Sequence, residues 1–339
     1  MPQDVDFFLP ISPQVNPLER TAKSHSLRWA QRFSLATSDQ ASQRILAYDM
    51  AGLMSRWFPY AAGPDLNLSI DAMVVAVLFD DHFESTKRVL SSTEARHLSE
   101  RFINIMQFPE VSAQGTLILE AAFADVWSRL TEGMSQEWRR RTARNWADFF
   151  EANVSEVENR SRQEIMNVPD YLMFRRRSGF VQPMIDMTER IYHFELPPDI
   201  HEMPQIQALR DVAADVIDAV NDMHSLEKEE ADKDPHNLVT VIRENQQCTR
   251  DDAIIIARDM TNLWVRKFLT LSAQLSEVNS KSGIDQRISS DINRWAAAMK
   301  DAIRGNHDWG ASTARYSGAS FEHSKQEIDR EDLMVPIKP

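Results

Sequence analysis

Val212-Ala-Ala-Asp-Val-Ile-Asp-Ala-Val-Asn-Asp-Met-His-Ser-Leu-Glu-Lys-Glu-Glu230 runs without a glycine or a proline. Its apolar residues Val212, Val216 and Ile217 recur at helical spacing. Asn221, Ser225 and Glu229, four residues apart, carry that face onward as a polar stripe of an amide oxygen, a hydroxyl and a carboxylate. A set of oxygen ligands entering an otherwise apolar helical face is hard to attribute to solvation. The plain alternative is the exposed, charged end of a long helix. Lys228, beside Glu229, supplies a cation able to contact a phosphate oxygen.

The same 3.6-residue pattern extends in both directions, from about Leu18 to about Arg304. Breaks fall at Phe58–Pro59 to Pro64, Phe108–Pro109, Pro169, Pro197–Pro198 to Pro204, and Pro235, where each proline ends one helix or opens the next. Only nine of 339 residues are glycine, less than half the usual share of about 7%. Sheets and doubly wound folds need glycine for turns, bulges and phosphate loops, so its scarcity favours long helices. The length allows one large domain or two ordinary ones, and no repeat or composition shift marks a boundary. We therefore expect an all-α fold in one domain over 18–316. Residues 1–17, with four prolines, read as an extended arm, and the polar stretch from Ser317 to 339 as a flexible tail.

With 38 basic and 51 acidic residues, the net charge of −13 opposes nucleic-acid binding, which needs clustered Lys and Arg. An acidic protein still binds an anion when metal ions bridge the two. The single cysteine, Cys248, excludes an internal disulfide and any multi-cysteine metal site, and reads as a packing residue. The longest apolar run, Ala72 to Phe79, is too short to span a membrane, and Met-Pro-Gln-Asp-Val-Asp lacks the basic start of a secretion signal. The expectation is a cytoplasmic protein, monomeric or homodimeric.

A second acidic segment stands at Met73-Val-Val-Ala-Val-Leu-Phe-Asp-Asp-His-Phe-Glu84. An apolar helix buried all round runs here straight into Asp80, Asp81 and Glu84, with Asp80 and Glu84 on one face. Buried carboxylates need a cation or hydrogen bonds, and oxygen-only ligands suit magnesium or manganese. A solvated acidic helix end is the alternative.

Together these segments resemble class I terpene synthases, in the compact single-domain form of the microbial enzymes. Asp80-Asp81-x-x-Glu84 resembles their aspartate-rich first metal motif, and Asn221-Asp-x-x-Ser225-x-x-Lys228-Glu229 their second. Arg175, 46 residues before Asn221, stands where the family carries a diphosphate-sensing arginine. In Arg175-Arg-Arg-Ser178-Gly179, Ser178 takes the linker position, often acidic in the family, and Gly179 that of the residue whose carbonyl acts as effector. Trp309 and Arg315-Tyr316 are similar to the family's C-terminal Trp and Arg-Tyr pair. Five elements in order cover roughly residues 20 to 316.

The resemblance implies an α-helical domain whose helices enclose a substrate pocket. It also implies three Mg2+ ions, which Mn2+ can replace, held by Asp80, Asp81, Glu84, Asn221, Ser225 and Glu229. Arg175, Lys228, Arg315 and Tyr316 would bind the diphosphate of a linear prenyl substrate, farnesyl diphosphate first and geranylgeranyl diphosphate second. Ionisation leaves an allylic carbocation that must be kept from water and then cyclises. Aromatic faces stabilise such a cation, and Phe79, Phe83, Phe174 and Trp309, next to the motif residues, are the candidate walls. Three other readings stay open. A chain-elongating prenyltransferase would carry a second aspartate-rich motif where this chain has Asn, Ser and Glu. A di-iron bundle needs two Glu-x-x-His motifs, and only Glu94-Ala-Arg-His97 qualifies. The third is a non-catalytic helical scaffold.

Overall fold

A computed structural model describes residues 5–83, 90–108, 117–162, 164–281, 285–316 and 333–336. Glu84, Pro109 and residues 317–332 lie outside them. The chain is helical, as expected: α1 (Glu19–Arg32), α2 (Asp39–Tyr48), α3 (Met50–Trp57), α4 (Gly63–Phe83), α5 (Ser92–Gln107), α6 (Ile118–Thr131) and α7 (Gln136–Arg162) form the first half. The second half holds α8 (Val168–Ser178), α9 (Val181–Ile191), α10 (Pro198–His201), α11 (Pro204–Asp232), α12 (Leu238–Gln246), α13 (Arg250–Lys281) and α14 (Gln286–Gly310), then a 3-10 turn at Ala314–Tyr316.

Local chemistry sets the helix ends. Pro169 and Pro204 occupy first turns, where a missing N–H costs nothing. Asn167, Ser38 and Asn237 cap α8, α2 and α12 through side-chain oxygens. Ser91 and Glu94 form a reciprocal capping box at the start of α5. That cap accounts for Glu94, and His97 is exposed on the same helix, so the pair does not build an iron site.

α4 is buried almost all round, from Leu66 to Phe83, as its apolar run requires. It packs against α1, α3, α6, α7 and α9, while α11 packs against α8, α9, α12, α13 and α14. Where α4, α5 and α7 meet lies an aromatic core in which Phe79 stacks on Phe83 and meets Phe102 and Phe150 edge-on, and Trp146 meets Phe180. Cys248 packs partly buried against the core.

The ends of the chain are bound more tightly than expected. Residues 5–17 are non-helical, as an extended arm should be, yet they are docked. Phe7 is buried against His224 of α11 and His307 of α14. Arg266 sits over the Phe8 ring, and buried Asn16 donates to the carbonyls of Phe58 and Ala61. Of the stretch read as a flexible tail, residues 333–336 also pack. Leu333 is buried, Ile118 donates its N–H to the Val335 carbonyl at 3.1 Å, and Leu117 and Pro336 form an antiparallel bridge. Leu333-Met-Val-Pro336 is apolar enough to join the core.

Candidate active site

A cavity open to solvent lies between α3, α4, α7, α8, α9, α11 and α14. One end is polar and lined by Asp80, Arg175, Asn221, Ser225, Lys228, Glu229, Arg315 and Tyr316. The other is apolar, with Leu53, Trp57, Met73, Phe149, Phe180 and Trp309 among its walls. A charged mouth over a greasy interior suits an amphipathic ligand with an anionic head.

The α11 stripe faces this cavity. Asn221 is its hub: its amide oxygen accepts from Arg175 Nη2 at 2.9 Å, and its Nδ2 donates to Tyr316 Oη at 2.8 Å. Three segments far apart in sequence therefore meet at one side chain. Arg175 is anchored from behind, donating Nε to Asp222 Oδ1 at 2.9 Å. Asp222, 1% exposed, also accepts from the Tyr171 hydroxyl at 2.6 Å and from Leu238 N–H at 3.0 Å. Burial works against the Arg175 charge, but the carboxylate of Asp222 outweighs it and holds the guanidinium well above its ordinary pKa. Asn237 ties the end of the stripe down, donating to Glu229 Oε2 at 2.7 Å and to the Asp222 carbonyl. Ser225 donates to the Asn221 carbonyl at 2.9 Å.

Across the cavity, Asp80 lines the wall and Asp81 lies behind it, 5% exposed. Asp81 accepts from the Tyr48 hydroxyl and from Arg315 Nη2, the latter at 3.2 Å, and the Arg315 guanidinium lies 4.6 Å above the Tyr48 ring. Arg160 braces the floor from α7, donating to Asp234 and to the Phe83 carbonyl. Asp234 also accepts from His236, so despite burial its pKa falls well below the usual carboxylate range.

The fit to a divalent metal can be judged from the donors. Asp80, Asn221, Ser225 and Glu229 offer only hard oxygens on the cavity wall. Burial, with Asp222 nearby, pushes Glu229 up to about 8, so the site holds more carboxylate than its own cations stabilise. No three His, Cys, Asp or Glu among the described residues gather closely enough to hold an ion unaided.

Of the proposed cation walls, only Trp309 lines the cavity, with its Nε1 donating to the Asp49 carbonyl at 3.1 Å. Met73, Ala76, Val77 and Asp80 lie at three- and four-residue intervals on the α4 face that meets the cavity. Phe79 and Phe83 point the other way, into the core against α5 and α7. Phe174 lies half-buried beside His236, behind that lining residue rather than on the cavity wall itself. The aromatic walls present are Trp57, Phe149, Phe180 and Trp309. Phe180 reaches its place through a left-handed backbone, φ 61°, at the break between α8 and α9, which nothing in its sequence signals. Asp222, Tyr171, Asp218 and Asn237 belong to the site without standing in any motif read from the sequence; the 3- and 4-residue spacing of 215, 218 and 222 on α11 marks the two acids, and nothing marks Tyr171 or Asn237.

Gly179 stands at that break. A Cβ there would lie 2.0 Å from Asp218 Oδ1, so only glycine lets the carboxyl approach the chain. Gly179→Ala must displace either Asp218 or the break. We expect it to lose about 1–3 kcal/mol of stability and at least tenfold in turnover, read by urea unfolding and diphosphate release.

The chain matches the family model of terpene synthase family 2, C-terminal metal binding, over residues 71–267, which include both acidic segments. It is 32% identical over 318 residues to a pentalenene synthase of Streptomyces arenae, covering 93% of this chain and 94% of that one. It is 30% identical to a (−)-β-caryophyllene synthase of Saccharothrix espanaensis, described as cyclizing (2E,6E)-farnesyl diphosphate, over 93% and 90% of the two chains. The fold superposes on germacradien-4-ol synthase from Streptomyces citricolor with a TM-score of 0.82, at 29% identity, over 92% of this chain and 99% of that one. Linalool/nerolidol synthase from Streptomyces clavuligerus gives 0.80 at 25% identity. A polar mouth built from two acidic helices, an apolar aromatic chamber and these likenesses over nearly the whole length converge, and the chain belongs to the terpene synthase family, whose metal-binding domain it carries.

Proposed function

We propose that this terpene synthase ionises farnesyl diphosphate with the help of three Mg2+ ions and cyclises the resulting cation to a sesquiterpene. The observation that carries the reading is the Arg175–Asn221–Tyr316 chain of hydrogen bonds, which joins the sensor, the second metal motif and the C-terminal pair at one rim. The names of the relatives support the substrate, since one is described as a farnesyl diphosphate cyclase. Family membership sets aside the prenyltransferase and scaffold readings.

Asp80, Asn221, Ser225 and Glu229 would hold the metal from the two helices, with Asp81 behind Asp80 and Glu84, outside the described residues, as a further ligand. The chemistry Mg2+ supplies there is neutralisation of charge developing on the leaving oxygens. Arg175, Lys228 and Arg315 add charge-assisted hydrogen bonds to the same oxygens, and Tyr316 fixes the Asn221 amide. Gly179 presents its carbonyl at the α8–α9 break, where the chain passes the reacting end of the substrate. The chamber walls then fold the hydrocarbon and keep water out, with aromatic faces at Trp57, Phe149, Phe180 and Trp309. We place the enzyme in the cytoplasm, as a monomer or homodimer; no described helix is long and apolar enough to cross a membrane.

Metal binding has a pH signature. With Glu229 at about 8, the free site carries a proton that metal must displace. Affinity for Mg2+ should therefore rise with pH up to about 8 and level off above it. Half-saturating Mg2+ measured at pH 6.5 and 8.5 is expected to be several-fold lower at the higher value; no change would remove Glu229 from the ligand set. Substrate length is tested by offering C10, C15 and C20 diphosphates in competition. Farnesyl diphosphate should be consumed fastest, and preferential consumption of the C20 compound would overturn that assignment.

A further inference from the structure

Asp218 stands apart from the other acids of α11. It lines the cavity wall beside Ile217, one turn before Asn221, at the edge of the apolar chamber. It is 4% exposed, and its Oδ2 has no hydrogen-bond partner. Its acidic neighbours are all engaged: Asp222 by Arg175 and Tyr171, Asp215 by Arg176, Asp234 by Arg160 and His236. An unpartnered buried carboxyl is costly, so its retention needs a reason. The chain is shaped around it, because Gly179 leaves room where any Cβ would collide with Oδ1. Next to that glycine, the Ser178 hydroxyl is likewise buried and unpartnered.

Burial raises the Asp218 pKa well above its ordinary value. Asp222 and Asp215 add to the rise, and Arg175 and Arg176, both committed to other carboxylates, only partly offset it. With one oxygen unpartnered, 4% exposure and a hydrocarbon chamber in front of it, the position suits a carboxylic acid better than a carboxylate.

We propose that Asp218 is a further catalytic residue, a proton donor that reprotonates a neutral cyclised alkene inside the cavity. The inference rests on the terpene cyclase reading. The first carbocation gives a proton to the departed diphosphate and becomes an alkene. The alkene π pair then takes the Asp218 proton, forming a C–H bond and leaving the adjacent carbon cationic and Asp218 a carboxylate. After the second cyclisation the carboxylate recovers a proton from a carbon next to the cation, whose C–H pair becomes the final double bond. Asp218 ends protonated, and no oxidant or other reactant is needed.

The test is turnover of farnesyl diphosphate with Mg2+ in D2O buffer, with diphosphate release and product mass read together. No C–H bond of the substrate exchanges with solvent, so a carbon-bound deuterium reports the donor. We expect one carbon-bound deuterium in the main wild-type product. Asp218→Asn, the same shape without the acid proton, should give a product without deuterium and with fewer rings, whatever its rate. Asp218→Glu should restore labelling in part, and Asp218→Ala replaces the Asn variant should that one fail to fold. Wild-type product without deuterium, or full labelling by Asp218→Asn, overturns the proposal. So does a folded Asp218→Asn that releases no diphosphate, which would place Asp218 in ionisation instead. Failure of the wild type to release any diphosphate strikes the terpene synthase reading itself.

Discussion

Arg175→Met is expected to abolish turnover and to lower unfolding free energy by about 3–5 kcal/mol, the range for breaking a buried ion pair by removing one partner. The cause is Asp222. Now 1% exposed, it keeps the Tyr171 hydroxyl and the Leu238 N–H but loses its cation. A second substitution separates stability from chemistry. In Arg175→Met/Asp222→Asn the stranded charge is gone, while the amide oxygen can still accept from Tyr171 or Leu238, so urea unfolding should recover much of the loss. Turnover should stay absent, because the Arg175 guanidinium no longer faces the diphosphate. Recovery of activity in the double variant would show that Arg175 serves only to neutralise Asp222.

Asn221→Ala and Asp80→Ala should each lose at least about 100-fold in turnover, the scale seen when one preorganised charge-stabilising group is removed. Both should stay folded. Arg175 keeps Asp222 when the Asn221 amide goes, so only the bonds to Arg175 Nη2 and Tyr316 are lost, at about 1 kcal/mol each. Asp80 is only half-buried on the cavity wall, and its removal takes negative charge from an acid-rich site. Circular dichroism beside a diphosphate-release assay checks both claims, and activity within tenfold of wild type would remove that side chain from the mechanism.

The helices were legible because their signals are local. Prolines mark the starts of α8 and α11, the apolar run makes α4 a buried helix, and the four-residue stripe 221–225–229 does face the cavity. What depended on the third dimension was not. Proximity to Asp80 suggested Phe79 and Phe83 as walls, but a helix turns about 100° per residue, so neighbours in sequence face different ways. Phe180 became a wall through a left-handed residue that carries no sequence mark. The spacing of Asp215, Asp218 and Asp222 places these acids on one side of α11, but nothing in it says that Asp222 anchors Arg175, because pairing between helices leaves no mark in either segment. The two docked ends are hidden for a related reason: Phe7 packs on His224 and His307, and Pro336 bridges Leu117, partners hundreds of residues away.

On the proposed function, the two acidic helices and the basic rim act as one metal-dependent device for removing diphosphate from a prenyl chain. The most direct test is purified protein with farnesyl diphosphate, in Mg2+ and in excess chelator, with diphosphate and extractable terpene quantified from the same vial. We expect the two products in equal amounts with Mg2+ and neither with chelator. Diphosphate release that persists in chelator, or that occurs with no terpene beyond the simple hydrolysis alcohol, would contradict the account.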